Sequence, residues 1–563
     1  MYSSWHIKLW TLVGALLGFV VIAAVDEFAK NAHIIEERAS IEELEKIQRE
    51  ASPRKESVEG KLKEAVVNYK TPDKKIGGVK FKLSSIHFSP ESQLISKVRL
   101  KELSNKYLNS QITFDDLQHL RIDIINEYQK MGYTLSSVNL PAQKLTNNKL
   151  TIQLIESKIK NIEFTGNEYL PKNYFDRIIG NYREKHFNVR NLELDLLRFN
   201  RSSKASMMAK SKASETFGYS DLVFQVYEPE RVSMSVSFDN SGVERLGKWK
   251  YLSSISIYDV TNGVDDNLVV GTTQSKGANS WYGVYDRPLN SFGTRANVSV
   301  TKGETRVSAG AGSDLGILGS SESISFELSH LLYISRTTAI SSRFGLRHSS
   351  SESFFVGSSL DDSTIQSAFL ILIADRTDEL GTWNTELGVV SGDATRFDED
   401  AQKFTTFNFF VKRIQKLHPN VSASLSFNGQ LSNELNLPSA QSFSVGGQSS
   451  VRGYEDSAIL GDKGYSTRLE VTTALFRWLD LPQTNTLNSI QLTFFRDYGV
   501  AYTNKGGGIG IDSDALNSYG VVAYYQPVQE FFLSVGYAHP MNINEELYNK
   551  RNWSCSVRYS INF

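Results

Sequence analysis

Apolar and polar side chains alternate residue by residue over much of the chain from about Pro229 to Phe563. The last segment shows this most clearly, with an apolar set at Trp553, Cys555, Val557, Tyr559, Ile561 and Phe563 and a polar set at Ser554, Ser556, Arg558, Ser560 and Asn562. The same alternation runs through residues 232–238, 421–427 and 531–538. Because successive side chains of a strand point to opposite faces, each predicted strand has one face in an apolar phase and one in water.

Two architectures produce such a pattern, a soluble β-sandwich and a transmembrane β-barrel. The predicted strands are long, their polar positions hold mostly Ser and Gly, and the chain contains 25 Tyr and 31 Phe, which together favour the barrel. At about 20 residues for each strand and turn, the segment predicts about 16 antiparallel strands. A mean hydropathy of -0.30 is compatible with this, because only alternate residues of a barrel face lipid.

The N-terminal residues are predicted to form three segments before any folded module. Residues 1–24 are typical of a cleaved export signal, with an apolar stretch that ends in Ala23 and Ala24; a single uncleaved membrane helix is the alternative. Residues 25–50 are predicted to contain an amphipathic helix, because the apolar residues Ile34, Ile41, Leu44 and Ile47 recur at helical spacing. Residues 51–78 are charged and contain prolines, as expected of a linker.

Charge and cysteine content exclude two further ideas about the chain. The formal net charge is -1 and the pI is about 6.8, so there is no electrostatic reason to expect a nucleic-acid partner. The single cysteine, Cys555, excludes an intramolecular disulfide framework. We expect Cys555 to face lipid.

Residues 79–157 and 158–228 are predicted to form two α+β modules of the same order, strand, helix, helix, strand, strand. In the first, the predicted strands are residues 81–88, 133–138 and 150–155, and the predicted helices are residues 96–108 and 113–130. In the second, the strands are residues 159–164, 205–213 and 222–226, and the helices are residues 172–182 and 189–200. This is an internal repeat of architecture rather than of obvious sequence.

Two segments of the barrel half carry motifs. The first, residues 443–454, places Gly446, Gly447 and Gly453 around Arg452, where they allow tight backbone conformations. The second, residues 494–499, contains Asp497, whose parity is opposite to that of the apolar Ile490, Leu492 and Phe494 and therefore predicts a side chain inside the lumen. An inward-folded loop would let the arginine pair with this carboxylate. The alternative is a glycine-rich surface turn and a carboxylate in contact with channel water.

These motifs resemble those of the TpsB transporters of two-partner secretion, the family of haemolysin and filamentous-haemagglutinin exporters. Residues 451–454, which are Val451, Arg452, Gly453 and Tyr454, match the signature of the long loop that folds into the barrel. The F-x-D-x-G strand signature matches at Phe495, Asp497 and Gly499. The resemblance implies that Arg452 pairs with Asp497. Three smaller matches agree with this family: residues 140–143, residues 218–222 and the C-terminal Phe563, which the resemblance implies is a barrel-assembly signal.

The resemblance covers nearly the whole chain and implies its organisation. It predicts a signal peptide (1–24), an N-terminal plug helix (25–50), a linker (51–78), two POTRA domains (79–157 and 158–228) and a transmembrane β-barrel (229–563). The implied fold class is therefore α+β periplasmic modules followed by an antiparallel transmembrane β-barrel in the outer membrane.

The resemblance also implies function and partners. An unfolded TpsA-type, β-helical exoprotein would bind the POTRA domains, either by adding to a sheet edge or by lying in a strand–helix groove, with the edge near residues 133–138 or 205–213 as the expected dock. It would then cross the lumen after the plug helix leaves. The other expected partners are outer-membrane lipid and the barrel-assembly machinery, with no nucleic acid. Three alternatives stay open: a barrel-assembly insertase of the same superfamily, a passive porin and a soluble secreted adhesin.

Signals for an enzyme are poor. The chain contains no HExxH or GxSxG motif, and its nine histidines do not cluster. Residues 506–510 with Asp512 and Asp514 lack the strand-to-helix context of a phosphate loop, and we expect both this segment and the acidic residues 398–400 to be exposed loops. We therefore expect no enzyme activity, cofactor or metal.

Overall fold

The computed structural model describes residues 79–309, 317–355, 358–396, 401–432, 434, 437–474, 477, 489–504, 511–541 and 550–563. The predicted signal (1–24), plug helix (25–50) and linker (51–78), and the loop segments 398–400 and 506–510, lie outside these residues. None of the described helices is long and apolar enough to cross a membrane.

The first α+β module contains five strands and two helices: β1 (Phe81–Lys82), β2 (Ser85–Ser89), α1 (Lys97–Asn105), β3 (Gln111–Ile112), α2 (Phe114–Lys130), β4 (Ser137–Asn139) and β5 (Lys149–Ile155). The sheet has the order β2-β5-β4, with β2 parallel and β4 antiparallel to β5. Helix α2 begins with a capping box between Thr113 and Asp116, whose hydrogen bonds from the Thr113 backbone and hydroxyl lower the pKa of Asp116. Its apolar face packs on the sheet through Leu120, Ile124 and Tyr128.

The second module contains β6 (Lys158–Thr165), α3 (Lys172–Ile178), α4 (Val189–Ser202), β7 (Ser206–Ala213) and β8 (Tyr219–Tyr227). Its sheet has the order β6-β8-β7, with β6 parallel and β7 antiparallel to β8. The stacked rings of Phe164, Phe175 and Phe224 lie in the core between the sheet and the helices.

Some predicted elements are shorter than the sequence pattern indicates, and helix α1 ends at Asn105 instead of residue 108. The strand predicted at 133–138 is reduced to β4, because Gly132 ends α2 with a φ of 92° and a turn follows in which the Ser136 amide donates to the Tyr133 carbonyl. Helix α3 stops at Ile178 instead of residue 182. The Asp195 carboxylate accepts hydrogen bonds from the Gly180 amide and the Tyr182 hydroxyl, which draws this segment out of the helix.

The remaining chain forms a closed barrel of sixteen antiparallel strands, which confirms the predicted fold class. The strands of the first part are β9 (Val232–Asp239), β10 (Lys250–Tyr258), β11 (Asn267–Gln274), β12 (Ala278–Pro288), β13 (Thr294–Arg306), β14 (Leu318–Ile334), β15 (Thr338–Phe355), β16 (Ser358–Asp378), β17 (Gly381–Arg396), β18 (Gln402–His418) and β19 (Val421–Ser432). A short hairpin of β20 (Phe443–Val445) and β21 (Ile459–Gly461) is a separate sheet and not part of the barrel wall. The last five strands are β22 (Lys463–Thr473), β23 (Ile490–Asn504), β24 (Ile511–Val528), β25 (Phe531–Pro540) and β26 (Trp553–Asn562).

Closure of the barrel depends on the pairing of its first and last strands, which we call the seam. Strands β9 and β26 pair through seven residues each, from Ser233 opposite Asn562 to Asp239 opposite Ser556. Because the two modules precede β9, the turn between β10 and β11 lies on the module side of the barrel, which is expected to be periplasmic, and the segment between β9 and β10 lies on the opposite, extracellular side. Residues 437–462, which precede β22, and residues 550–552, which precede β26, lie on this extracellular side too.

Helix α4 joins the two modules to each other and to the barrel. At its start, the Val189 amide donates to the Gly132 carbonyl and the Asn188 side chain donates to the Met131 carbonyl, both at the end of α2. At its end, the Ser202 carbonyl accepts a hydrogen bond from Arg295 of β13. One helix therefore contacts the first module at one end and the periplasmic rim of the barrel at the other.

Candidate functional site

The extracellular segment between β19 and β22 folds back into the barrel, and its described part, residues 437–462, is called the inward loop below. Its β20–β21 hairpin and the side chains of Val451 and Tyr454 form an apolar cluster with Ala501 of β23 and Leu516 of β24. Gly446 and Gly447 have φ values of 123° and 89°, and a Cβ on Gly447 would lie 1.8 Å from the Asp456 carboxylate. Only glycine fits this turn.

The inward loop brings Arg452 against Asp497 on the lumen face of β23. Arg452 Nε lies 2.7 Å from Asp497 Oδ2, and Arg452 Nη2 lies 2.8 Å from Oδ1. The Arg452 amide also donates to Oδ2, at 3.1 Å. Both residues are buried, with 3% and 0% exposed. A forked, desolvated pair of this kind fixes both the position and the orientation of the arginine.

The other residues of the strand motif make room for the loop and support it. The Phe495 ring lies under the guanidinium, with its centroid 3.6 Å from Arg452 Cζ, a cation–π arrangement. A Cβ on Gly499 would lie 2.4 Å from Val445 of the loop. Phe495, Asp497 and Gly499 share one parity and all face inward, whereas Phe494 is 54% exposed on the outer face. The spacing of the motif therefore follows from the two-residue period of the strand.

The loop motif also contacts the wall beyond the ion pair. The Tyr454 hydroxyl donates to the Asn517 carbonyl of β24 at 3.1 Å. Gly453 has a φ of 92°, and a Cβ there would lie 3.1 Å from that of Ala538 on β25. Within the loop, the Ser450 hydroxyl accepts from the Gly446 amide and donates to the Gly446 carbonyl, which closes the turn before Val451.

Two further charged residues on β22 were not predicted from the sequence. Glu470 lies 2.9 Å from Arg452 Nη1, and Arg468 Nη2 lies 3.2 Å from the same Glu470 oxygen. Arg468 Nη1 donates to the carbonyls of Gln448 and Ser449 in the loop. The parity of β22 indicates that both face the lumen, because Leu469 is exposed outward between them. We call Arg452, Arg468, Glu470 and Asp497 the loop anchor.

The loop anchor is reciprocal and has no net formal charge. A loop arginine binds wall carboxylates, and a wall arginine binds loop carbonyls. The arrangement offers no nucleophile, and no group of three or more His, Cys, Asp or Glu side chains suited to a metal occurs in the part of the chain that the structure describes. The anchor can therefore hold a loop in the lumen, and release of the loop requires both arginines to lose their partners.

Phe563, the predicted assembly signal, lies at the periplasmic end of the seam. Its amide donates to the Val232 carbonyl and its carbonyl accepts from the Val232 amide, so pairing with the first strand continues to the last residue. Its side chain is 48% exposed on the same face as Trp553 and Tyr559. This position is suited to an aromatic at the membrane interface.

Comparison with known proteins gives the family. Residues 218–516 match the family model described as haemolysin secretion/activation protein ShlB/FhaC/HecB, and residues 81–157 match the ShlB-type POTRA domain. The heme/hemopexin transporter protein HuxB of Haemophilus influenzae is 22% identical over 83% of this chain and 85% of its own length. The outer membrane transporter CdiB of Escherichia coli is 24% identical over 73% of this chain and 71% of its own length.

Solved structures show the same fold. CdiB from Escherichia coli superposes with a TM-score of 0.67 at 17% identity and covers 94% of this chain and 100% of its own. BamA from Haemophilus ducreyi lacking POTRA domains 1–3 gives 0.53 at 14% identity, over 85% of this chain and 100% of its own. Since the secretion family model matches more than half of the sequence, the chain belongs to the ShlB/FhaC/HecB family of haemolysin secretion/activation proteins.

Proposed function

We propose that this outer-membrane transporter of the two-partner secretion type captures one unfolded exoprotein on its POTRA domains and passes it through the barrel lumen when the inward loop is released. The observation that carries the proposal is a loop inside a closed sixteen-strand barrel that is held by a buried, charge-balanced anchor. A loop held by ion pairs rather than by apolar packing alone can exchange these partners for water or for a passing chain.

We infer that the free edge of β7 receives the exoprotein by strand addition. Strand β7 is an edge strand of eight residues, whereas β4, the corresponding edge of the first module, has three. The Asn200 side chain binds both the amide and the carbonyl of Met207, which shows that Met207 points its backbone groups away from β8. By alternation, Ala209, Ser211 and Ala213 do the same, and these backbone groups form the dock that we propose.

The cargo is proposed to be a secreted protein of β-helical type, whose folding outside the cell drives its export. Similar proteins are described as a heme/hemopexin transporter protein and as an outer membrane transporter. We further propose that lipid covers the outward apolar face, that the barrel-assembly machinery inserts the chain, and that the transporter has no nucleic-acid partner and no catalytic centre of its own.

Co-expression with a candidate β-helical exoprotein tests the main proposal. The exoprotein is expected in the medium when the transporter is present, and to remain cell-associated without it. Arg452→Ala leaves the Asp497 carboxylate buried without its main partner, a change that costs about 3–5 kcal/mol at buried pairs. We therefore expect export to fall strongly while the barrel still assembles, as shown by its heat-dependent mobility in a detergent gel.

Arg558→Ala is the matched control for this substitution. It removes another arginine from the lumen face, one whose guanidinium lies over Phe532 of β25 rather than against the inward loop. Export should stay near the wild-type level in this variant. Full export with Arg452→Ala would remove the loop anchor from the mechanism, and assembled barrels that export nothing but raise the level of other barrel proteins would favour an insertase.

A further inference from the structure

Beyond the strand ladder, the extracellular end of the seam is joined mainly by the side chain of one residue, Asn240. Register pairing of β9 with β26 ends at Asp239 and Ser556. Beyond it, the Asn240 amide donates to the Cys555 carbonyl at 3.2 Å. The Asn240 side chain accepts from the Cys555 amide and donates to the Trp553 carbonyl, both at 2.9 Å. One asparagine therefore extends the pairing by two residues.

The inward loop contacts both sides of the seam just above this asparagine. The Glu455 carboxylate, three residues after Arg452, accepts from the Glu244 amide at 2.8 Å in the segment that follows β9. On the other side, Arg551, which precedes β26, donates its amide to the Gly453 carbonyl at 2.8 Å. Residues 453–455 of the loop thus bind the segments next to the first and the last strand of the barrel.

Glu455 and Arg551, which make these two contacts, also form an ion pair with each other. Arg551 Nη2 lies 3.6 Å from Glu455 Oε1, and the same guanidinium donates to the Gly242 carbonyl. Glu455 is 7% exposed and Arg551 is 9% exposed. Because each of these charges is desolvated and hydrogen-bonded across the gap between β9 and β26, separation of the strands at this end would break both sets of contacts.

The position of the loop is therefore linked to the state of the seam. Arg452 is bound to β22 and β23, and only two residues lie between it and Glu455, which is bound at the seam. Movement of Arg452 out of the lumen with the loop would therefore strain the contacts of Glu455 at the seam. We propose that Glu455 and Arg551 form a latch by which the inward loop holds the extracellular end of the seam closed, so that release of the loop lets β9 and β26 part there. The proposal rests on the proposed function only in taking loop release as a step of transport.

The chain offers a reporter for the seam that is independent of cargo. Because Asp239 pairs with Ser556, Asn240 opposes Cys555, which is the single cysteine of the chain. Opposed residues of antiparallel strands have Cα atoms about 4.5–5.5 Å apart, within the range that a disulfide bridges. Asn240→Cys in the purified full-length protein is therefore expected to form a disulfide with Cys555 under mild oxidation while the seam is closed.

The experiment adds Glu455→Gln or Arg551→Gln to this background and measures the rate of disulfide formation. Loss of a charge-assisted hydrogen bond is expected to raise the population of the open seam about tenfold or more, and conductance steps that depend on the open seam should become more frequent by that factor. Disulfide formation depends on the closed fraction and should fall only as far as that fraction falls. In planar bilayers, the same single variants without the added cysteine should show larger or more frequent conductance steps. When Asn240→Cys is combined with a latch variant and oxidised, the disulfide should hold the seam closed and suppress these steps.

Asp456→Asn is the matched control, because Asp456 is the next residue of the loop and pairs with Lys250 of β10 on one side of the seam only, at 3.6 Å. It should leave crosslinking and conductance unchanged. An unchanged frequency of conductance steps in both latch variants, or an equal effect of Asp456→Asn, would overturn the latch. Because neither readout uses an exoprotein, a failed secretion assay would count against the proposed function and leave this test intact.

Discussion

At the scale of single residues, the lumen site depends on where side chains are missing as much as on charge. Gly499 leaves the space that Val445 and Val451 of the inward loop occupy, and Gly520 of β24 leaves the space for the Phe495 ring. Without these spaces, the loop would be held away from β23. Arg452 would then lie beyond hydrogen-bonding distance of Asp497.

Gly499→Ala tests this directly. The added methyl would lie 2.4 Å from Val445, and such overpacking typically costs about 1–3 kcal/mol. We expect the barrel to assemble, the inward loop to become accessible to protease added outside the cell, and export to fall. Gly283→Ala on β12 is the control, because a Cβ there meets nothing within 4 Å. Equal protease resistance in the two variants would show that Gly499 has no part in seating the loop.

At the scale of secondary-structure elements, the outer edge of β7 has two parts: at Met207 its backbone groups are hydrogen-bonded to a side chain, and further along the strand its residues are exposed. Asn200 occupies the backbone groups of Met207, and the exposed residues from Lys210 to Ala213 lie beyond it. Strand addition needs backbone donors that point outward, and in this strand only alternate residues supply them.

Ser211→Pro removes one outward amide of β7. Because this amide faces away from β8, the pairing within the module should survive, and we expect weaker exoprotein binding by the purified transporter and reduced export. Ser211→Ala keeps the amide and should behave as wild type. Lys212→Pro, by contrast, removes an amide that faces β8 and should unfold the module. Normal binding by Ser211→Pro would exclude this edge as the dock.

The elements also show what the sequence could predict. Period-two alternation is a local property of the sequence, so it was sufficient to predict the barrel, its number of strands and the inward direction of Asp497. Interactions between distant segments were not. Arg468 and Glu470 share a lumen parity that was visible in the sequence, but nothing local showed that β22 faces the inward loop. Likewise, the end of α3 depends on a hydrogen bond to Asp195 of the next helix, and the periodicity of apolar residues does not predict such a contact.

At the scale of the whole molecule, the binding modules and the barrel form one connected path through α4. Asn188 caps the start of α4 by accepting from the Arg190 amide, and its side-chain amide donates to Met131 at the end of α2. Further along the helix, Glu193 pairs with Arg336, and near its end Arg201 pairs with Asp375. Arg336 and Asp375 belong to the barrel. Strand β7 follows this helix directly, so the position of the proposed dock relative to the lumen depends on α4.

Asn188→Ala should loosen this path at the joint between the modules. The substitution removes a helix cap, which contributes about 1 kcal/mol, and the hydrogen bond to Met131. Spin labels on the first module and on a periplasmic turn of the barrel should give a broader distance distribution than in the wild type, with export reduced because the cargo is no longer delivered to a fixed point. Asn181→Ala, which removes only a local bond to the Arg183 amide, should leave the distribution narrow. An unchanged distribution in Asn188→Ala would show that the remaining contacts, including the Val189–Gly132 hydrogen bond, are sufficient to fix the two modules.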